Sequence, residues 1–171
     1  MAVRLGSRQT NSYPMLRSAL TALVSALPAP VVEAHCDGPC GVYDPASARV
    51  AAEAVLSMTK KLKGLEAPAA GDAAALAAFN NTFGRYVAIK EEEAQKTKKE
   101  LLILWTDYFK PDHLATFPDL HDTFWKAAKL CSACKVNIDQ AKAEELMAAV
   151  EKIHGMFWQS KGRSDAWVTA S

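Results

Sequence analysis

A chain of 171 residues, half of them hydrophobic and 23% charged, can form one folded domain and is not an intrinsically disordered segment. The formal net charge is +1 and no dense basic patch occurs, which excludes nucleic-acid binding as the main function. The longest apolar stretch is too short and too broken by prolines to span a bilayer, so we expect no stable membrane association.

Residues 1–34 differ chemically from the rest of the chain. They carry three arginines and one acid, a net charge of +2, which leaves a net charge of −1 for residues 35–171. An apolar stretch ends in Val-Glu-Ala at residues 32–34, a small-residue pattern typical of cleavage sites. We therefore predict a leader or propeptide, residues 1–34, that a maturation protease removes by cutting between Ala34 and His35.

The sequence of the leader determines neither the translation start nor the cellular compartment. Met15 begins a segment that is a sufficient leader by itself, so either Met1 or Met15 is the true start. A simple propeptide and a secretory or organelle address both fit the composition. We expect a cytoplasmic protein, with export or an organelle as the alternative.

The segment after the predicted cut, residues 35–43, reads HCDGPCGVY. Cleavage would expose five metal donors: the α-amine and imidazole of His35, the amide nitrogen and sulfur of Cys36, and the sulfur of Cys40. Mixed nitrogen and thiolate donors in a tetragonal arrangement suit Ni(II) or Cu(II) better than tetrahedral Zn(II). The alternative is a disulfide between Cys36 and Cys40 in an exported helical protein.

Four amphipathic helices are predicted in the rest of the sequence. Asp44 and Pro45 are the expected N-cap and first residue of a helix that ends at Gly64. Asp72 is the expected cap of a second, long helix whose apolar stripe extends to Tyr108.

The third helix is expected from Pro118, and residues 137–139 form a turn and cap before the fourth. The polar segment from Ser160 onward is expected to be loosely held. No strand-like alternation of useful length occurs. The sequence therefore predicts an all-α fold, an antiparallel four-helix bundle with an N-terminal metal-binding hook.

The second helix has an unusual surface. Its first apolar stripe consists of Leu76, Phe79, Phe83 and Tyr86, and the nearby Gly84 suggests close packing. The densely charged run at residues 90–100 indicates a solvated face or a subunit contact.

A second cysteine pair, Cys131 and Cys134, has the CxxC spacing of redox and zinc sites. Both lie on the apolar stripe of the third helix, which favours packing in the core or at an interface. The function of the pair stays open. His113, His121 and His154 lack a ligand pattern and are expected to be surface or hydrogen-bonded structural histidines.

Two motifs in this sequence resemble a known family, the nickel-containing superoxide dismutases. They are HCDGPCGVYDP at residues 35–45, the family's nickel hook, and LWTDYFKP at residues 104–111, followed by His113. The resemblance covers residues 35–171, and the leader is similar to the propeptides of the cyanobacterial branch. It implies an antioxidant enzyme that converts superoxide to dioxygen and hydrogen peroxide by Ni(II)/Ni(III) cycling. It also implies a homohexamer of four-helix bundles with one nickel ion per subunit.

The resemblance further implies a function for each hook residue. The α-amine of His35, the amide nitrogen and thiolate of Cys36, and the thiolate of Cys40 would form a square plane of ligands. The His35 imidazole would add as an axial ligand in the Ni(III) state. Tyr43 would lie near the vacant axial face, and Asp37 would hold the hook through hydrogen bonds.

The sequence departs from the family at two positions. Ala51 and Glu93 occupy places where described members carry an acid and an arginine that orient the axial imidazole. Neither function transfers to this chain, so the orientation of the His35 imidazole stays open. Two other functions compete with the enzyme: a metal-delivery protein without turnover, and an exported helical interaction module held by a disulfide.

Overall fold

The computed structural model describes residues 41–170, and all regular secondary structure within them is helical. In chain order the α-helices are α1 Ala46–Lys63, α2 Ala73–Ile103, α3 Leu120–Val136 and α4 Gln140–Ser160. A π-helical turn, Leu104–Tyr108, and a 3-10 turn, Pro111–Ala115, connect α2 to α3. None of these described helices is long and apolar enough to cross a membrane. The predicted all-α fold is confirmed.

Hydrogen bonds between the helices show that neighbours run antiparallel. Trp105, just beyond α2, donates to His121 at the start of α3, whereas Lys90 in α2 reaches the C-terminal end of α3. At the other side of the bundle, Lys63 at the end of α1 bonds to Gln140 at the start of α4. A three-residue turn returns the chain from α3 into α4. Since α1 packs on α2 and α4, and α3 packs on the same two helices, the arrangement is an antiparallel four-helix bundle.

Aspartates lie at three of the helix starts, and the caps predicted at Asp72 and Asp139 are confirmed. The side chains of Asp72 and Asp139 accept hydrogen bonds from backbone N–H groups three residues further on, at 2.9 and 3.2 Å. The start of α1 is one residue later than predicted, because Pro45 is its N-cap and the helix begins at Ala46. The carboxylate of Asp44 accepts from the N–H of Ala46 at 2.8 Å. These local bonds explain why the sequence located the ends of the helices well.

The core consists of apolar side chains from all four helices. Its largest fully buried apolar members are Phe124, Phe157, Leu101, Leu120, Leu146, Ile153, Val55 and Val150. Burial of a side chain of this size contributes about 1.5–3 kcal/mol, so the bundle supplies most of the stability that positions the site.

The first half of α2 lies outside this core. The buried residues of α2 are Lys90, Ala94, Thr97 and Leu101, all in its second half. Leu76 is 49% exposed and Phe83 is 36% exposed, so the predicted stripe faces away from the described core. The expected close packing at Gly84 is wrong for the described residues, because nothing lies within 4 Å of a Cβ placed there. The reason is length, since the 31 residues of α2 extend beyond its partners.

The C-terminal segment, residues 161–170, is bound to the bundle, so the expectation of a loose tail is wrong. The Trp167 ring packs edge-on against His154, with centroids 5.3 Å apart. The backbone N–H of Ala170 donates to the carboxylate of Glu53 in α1 at 2.7 Å. An aromatic contact with α4 and a backbone hydrogen bond to α1 thus hold this polar segment against the bundle.

Candidate metal centre

The predicted ligands His35, Cys36 and Cys40, together with Asp37, lie outside the described residues. Within residues 41–170 no three His, Cys, Asp or Glu side chains are grouped so that they could hold a metal ion. The structure therefore describes the end of the hook, from Gly41, and the surface that receives Tyr43.

Gly41 turns the chain from the hook toward α1. Its φ is +63°, in the left-handed region that glycine adopts without the steric cost of a Cβ. Val42 is 72% exposed, whereas Tyr43 is partly buried and packs against the core. Beyond the turn at Gly41, Val42 therefore faces solvent and Tyr43 packs onto the bundle.

Tyr43 packs on an aromatic cluster built from the α2–α3 connection and α4. Its ring centroid lies 5.4 Å from that of Tyr108, with the planes tilted by 55°. Tyr108 in turn contacts Phe157 at 4.5 Å and Phe109 at 5.0 Å. Each such aromatic pair contributes about 0.5–1.5 kcal/mol beyond area burial, which makes this a firm base for the residue that ends the hook.

The hydroxyl of Tyr108 is anchored to the end of α4. It lies 2.6 Å from Oγ of Ser160, and Ser160 Oγ donates to the carbonyl of Phe157 at 2.7 Å. Because a serine hydroxyl has a single proton, Tyr108 must be the donor to Ser160. This short chain of bonds fixes the Tyr108 ring under Tyr43.

The π-helical turn sets the position of Tyr108. The N–H of Phe109 bonds to the carbonyl of Leu104 at 3.0 Å, a five-residue step that is typical of π-bulges at functional sites. His113 stacks on Tyr108 with centroids 5.8 Å apart, and its Nδ1 accepts from the backbone N–H of Lys110 at 2.9 Å. His113 is therefore a hydrogen-bonded structural histidine, as predicted.

One cation lies over the same cluster. The Lys161 ammonium is 5.2 Å from the centroid of Tyr108 and 5.2 Å from that of Phe157, within range of a cation–π interaction. The nearby Arg163 is instead paired with Asp165 at 2.8 Å.

The structure describes Ala51 and Glu93, the two positions at which we expect a departure from the family. Ala51 is completely buried on α1 and offers no polar side-chain atom. Glu93, on α2, is half-buried and lies 3.9 Å from the Lys96 ammonium. Ala51 has no carboxylate, and the carboxylate of Glu93 pairs with a lysine. The acid–arginine pair expected in described family members is therefore not formed by these two residues.

The CxxC pair belongs to the core, in agreement with the favoured interpretation. Cys131 and Cys134 are free thiols with almost no exposed surface. Burial raises the pKa of Cys131 to about 12 and that of Cys134 to about 11, so both stay protonated at neutral pH. Protonated, inaccessible thiols do not provide a redox or zinc site.

Two residues at the site were not assigned by sequence reasoning, Tyr108 and Lys161. Tyr108 belongs to the LWTDYFKP motif, so the motif could have indicated it. Lys161 is a single lysine in a polar segment, and no sequence pattern relates it to Tyr43.

Comparisons with known proteins agree with this architecture. The family profile described as nickel-containing superoxide dismutase matches residues 30–161. The "Superoxide dismutase [Ni]" of Streptomyces seoulensis is 39% identical over 141 residues, covering 81% of this chain and 98% of that protein. The protein of the same name from Streptomyces coelicolor (strain ATCC BAA-471 / A3(2) / M145) is 37% identical over 141 residues, with the same coverage.

Solved structures give the same result. The native nickel superoxide dismutase structure at 1.30 Å superposes with a TM-score of 0.63 and 37% identity, over 74% of this chain and 99% of that one. A structure described as the oxidised ligation state superposes with a TM-score of 0.62 and 38% identity, over 75% and 99%. With the profile matching most of the sequence and relatives covered almost end to end, the chain belongs to the nickel-containing superoxide dismutases.

Proposed function

We propose that nickel is held by the new N-terminus that cleavage between Ala34 and His35 creates. The chain is a superoxide dismutase with a nickel cofactor, and it converts superoxide to dioxygen and hydrogen peroxide. The observation that carries the proposal is the HCDGPC sequence directly after the predicted cut.

The donor set fits nickel. The α-amine of His35, the amide nitrogen and thiolate of Cys36, and the thiolate of Cys40 would hold the nickel, and the His35 imidazole would be a further ligand. Anionic thiolate and amidate donors stabilise a higher oxidation state, so bound nickel supplies the Ni(II)/Ni(III) couple that superoxide needs. The absence of any other three-residue donor group in residues 41–170 supports the same assignment.

Tyr43 and Asp37 are proposed to act beside the ligands. Tyr43 would position small anions beside the metal and exclude larger ones, which requires a fixed ring. The packing of Tyr43 on Tyr108 supports this function. Asp37 holds the hook by hydrogen bonds, as the residues behind metal ligands commonly do.

We propose a homohexamer with one nickel ion per subunit, in which the outer half of α2 forms a subunit contact. Leu76, Phe83 and Ile89 are 49%, 36% and 39% exposed on that half, more apolar surface than a solvated helix needs. Light scattering after gel filtration tests this: the processed protein should give a hexamer mass, and Phe83→Glu should give smaller species. A monomer without any substitution would contradict the proposal.

We propose the cytoplasm as the compartment, with residues 1–34 acting as a propeptide. Fractionation of cells that express the full chain tests this point. Recovery of the processed protein from the exterior or from an organelle would replace it with the export alternative.

Intact mass, metal analysis and electron paramagnetic resonance of the purified protein test the metal site. We expect a chain that begins at His35, one nickel per chain and a rhombic Ni(III) signal with nitrogen coupling. The uncut chain should be inactive, because the nitrogen of His35 is then an amide. Full activity with Ala34 attached, bound zinc, or a disulfide between Cys36 and Cys40 would overturn the proposal.

A further inference from the structure

Lys161 lies at the C-terminal end of α4 and its ammonium is held over two aromatic rings. The distance to the centroids of Tyr108 and Phe157 is 5.2 Å in both cases. The faces of these rings carry partial negative charge, so they attract the ammonium group of this exposed lysine.

This cation is close to Tyr43. Both lie against the Tyr108 ring, whose centroid is 5.4 Å from that of Tyr43 and 5.2 Å from the Lys161 ammonium. The Lys161 ammonium is therefore no more than about 11 Å, the sum of the two distances, from the Tyr43 ring. That separation is close to the Debye length at 0.1 M salt, about 10 Å, so the charge is felt at Tyr43 at low and moderate ionic strength.

Within the part of the chain that the structure describes, no acid neutralises the charge of Lys161. No carboxylate of residues 41–170 lies within ion-pair distance of its ammonium, whereas Arg163 is paired with Asp165. The nearest acid to Tyr43 in sequence, Asp44, directs its carboxylate to the N–H of Ala46 at the start of α1.

We infer that Lys161 is a positioning residue that attracts the superoxide anion toward the open face beside Tyr43. The inference deepens the proposed function and rests on it, since the hook must place the metal near Tyr43. A fixed positive charge near the entrance raises the association rate of an anionic substrate, and salt weakens the effect. The aromatic cradle lets Lys161 do this from a constant position.

The test compares nickel-loaded Lys161→Gln and Lys161→Arg with the parent enzyme. The second-order rate constant for superoxide is measured as a function of ionic strength. We expect Lys161→Gln to lower it about two- to five-fold at low salt, with the difference disappearing as salt rises. Lys161→Arg keeps the charge and should retain the parent rate and salt dependence.

A matched control and a binding readout complete the test. Lys129 also lies over an aromatic ring, that of Trp125 at 5.7 Å, but on α3, so Lys129→Gln should behave like the parent. Azide affinity, followed through the nickel resonance signal, should fall in Lys161→Gln by a similar factor at low salt.

Two results would overturn the inference. One is a fully loaded Lys161→Gln enzyme whose rate and salt dependence equal those of the parent. The other is a lower rate constant that is also found in Lys161→Arg or that persists at high salt. Either result would show that Lys161 acts through packing and not through its charge. Failure of the proposed metal site would appear separately, as a parent enzyme without the Ni(III) signal.

Discussion

The ring of Tyr43 packs on the ring of Tyr108, with centroids 5.4 Å apart, directly beyond the left-handed turn at Gly41. This contact joins the end of the hook sequence to the bundle. Because the Tyr108 hydroxyl is itself bonded to Ser160 on α4, the position of Tyr43 depends on the α2–α3 connection and on the last turn of the chain's final helix. Tyr43, near the start of the described chain, is thus positioned by residues near its end.

Removing the hydroxyl of Tyr43 should change anion selectivity more than stability. Tyr43→Phe keeps the ring on Tyr108, so we expect the free energy of unfolding to fall by no more than about 1 kcal/mol and nickel binding to persist. The affinity for azide and the saturation behaviour with superoxide should change, since the hydroxyl is the polar group that faces small anions in the proposed site. Pulse radiolysis and azide titration measure these effects.

Tyr86→Phe is the matched control for this substitution, because Tyr86 lies on the outer half of α2. It should leave azide affinity and turnover unchanged. If Tyr43→Phe also leaves both unchanged, Tyr43 is a packing residue only.

The buried ammonium of Lys90 should be important for stability. Lys90 is 1% exposed and donates to backbone carbonyls at the C-terminal end of α3, those of Cys134, Lys135 and Asn137. The last carbonyls of a helix have no backbone donor within the helix. Lys90→Met would therefore leave these buried carbonyls without a hydrogen-bond donor. We expect a loss of about 2–4 kcal/mol in the free energy of unfolding, measured by urea denaturation.

Lys96→Met is the control for Lys90→Met. The Lys96 side chain is half exposed, and its ammonium makes a long, weak ion pair with the Glu93 carboxylate at 3.9 Å. Its effect should stay within about 0.5 kcal/mol. Equal stabilities of Lys90→Met and the parent would show that the carbonyls find other donors.

The sequence predicted the parts of the fold that local chemistry decides. The caps at Asp72 and Asp139 depend on a side chain and a backbone N–H three residues away, so a window of four residues contains the whole interaction. The core positions of Cys131 and Cys134 follow from helical periodicity in the same way.

Other features depend on contacts that a linear pattern does not contain. Leu76 and Phe83 have helical spacing, but no other helix of residues 41–170 is as long as α2, so the pattern alone could not show that these side chains are exposed. The candidate site likewise has a part that the sequence predicted and a part that it did not. The ligand motif and Tyr43 are contiguous and recognisable, whereas the placement of Lys161 over Tyr108 arises only when α4 packs beside the α2–α3 connection.

The buried thiols should make stability depend on pH in the alkaline range. Burial raises the pKa of Cys131 to about 12 and of Cys134 to about 11, from an ordinary value of 9.0. Above pH 9 the unfolded chain therefore loses protons that the folded chain keeps, so the free energy of unfolding declines as the pH rises from 9 toward 11. Below pH 9 this contribution is constant.

Urea denaturation at pH 7.5, 9 and 10 of the parent and of Cys131→Ala/Cys134→Ala measures the effect. The double variant should be less stable at pH 7.5 by about 1–3 kcal/mol, because small cavities form, but should lose less stability between pH 9 and 10. A thiol reagent should label Cys131 and Cys134 in the parent only after unfolding. Parallel pH profiles, or rapid labelling of the folded parent, would contradict the described burial.

The C-terminal segment should stabilise the bundle although it follows the last helix and extends past residue 161, where the family match ends. Deleting residues 163–171 removes the contact of Trp167 with His154 and the hydrogen bond from Ala170 to Glu53. Glu53 is only 8% exposed, so its carboxylate would lose a donor in a place with little water. We expect the truncated chain to be about 1–3 kcal/mol less stable in urea denaturation, with unchanged helicity by circular dichroism.

Single substitutions separate the two contacts. Trp167→Ala should reproduce much of the loss, whereas Val168→Ala, at a side chain that is 63% exposed, should stay close to the parent. Because Lys161 precedes the deleted segment and is held by Tyr108 and Phe157, nickel binding and the superoxide rate should survive truncation at temperatures well below unfolding. A truncated chain as stable as the parent would mean that the tail rests on the bundle without contributing to it, and Glu53 would then find water or Arg49 as a sufficient partner.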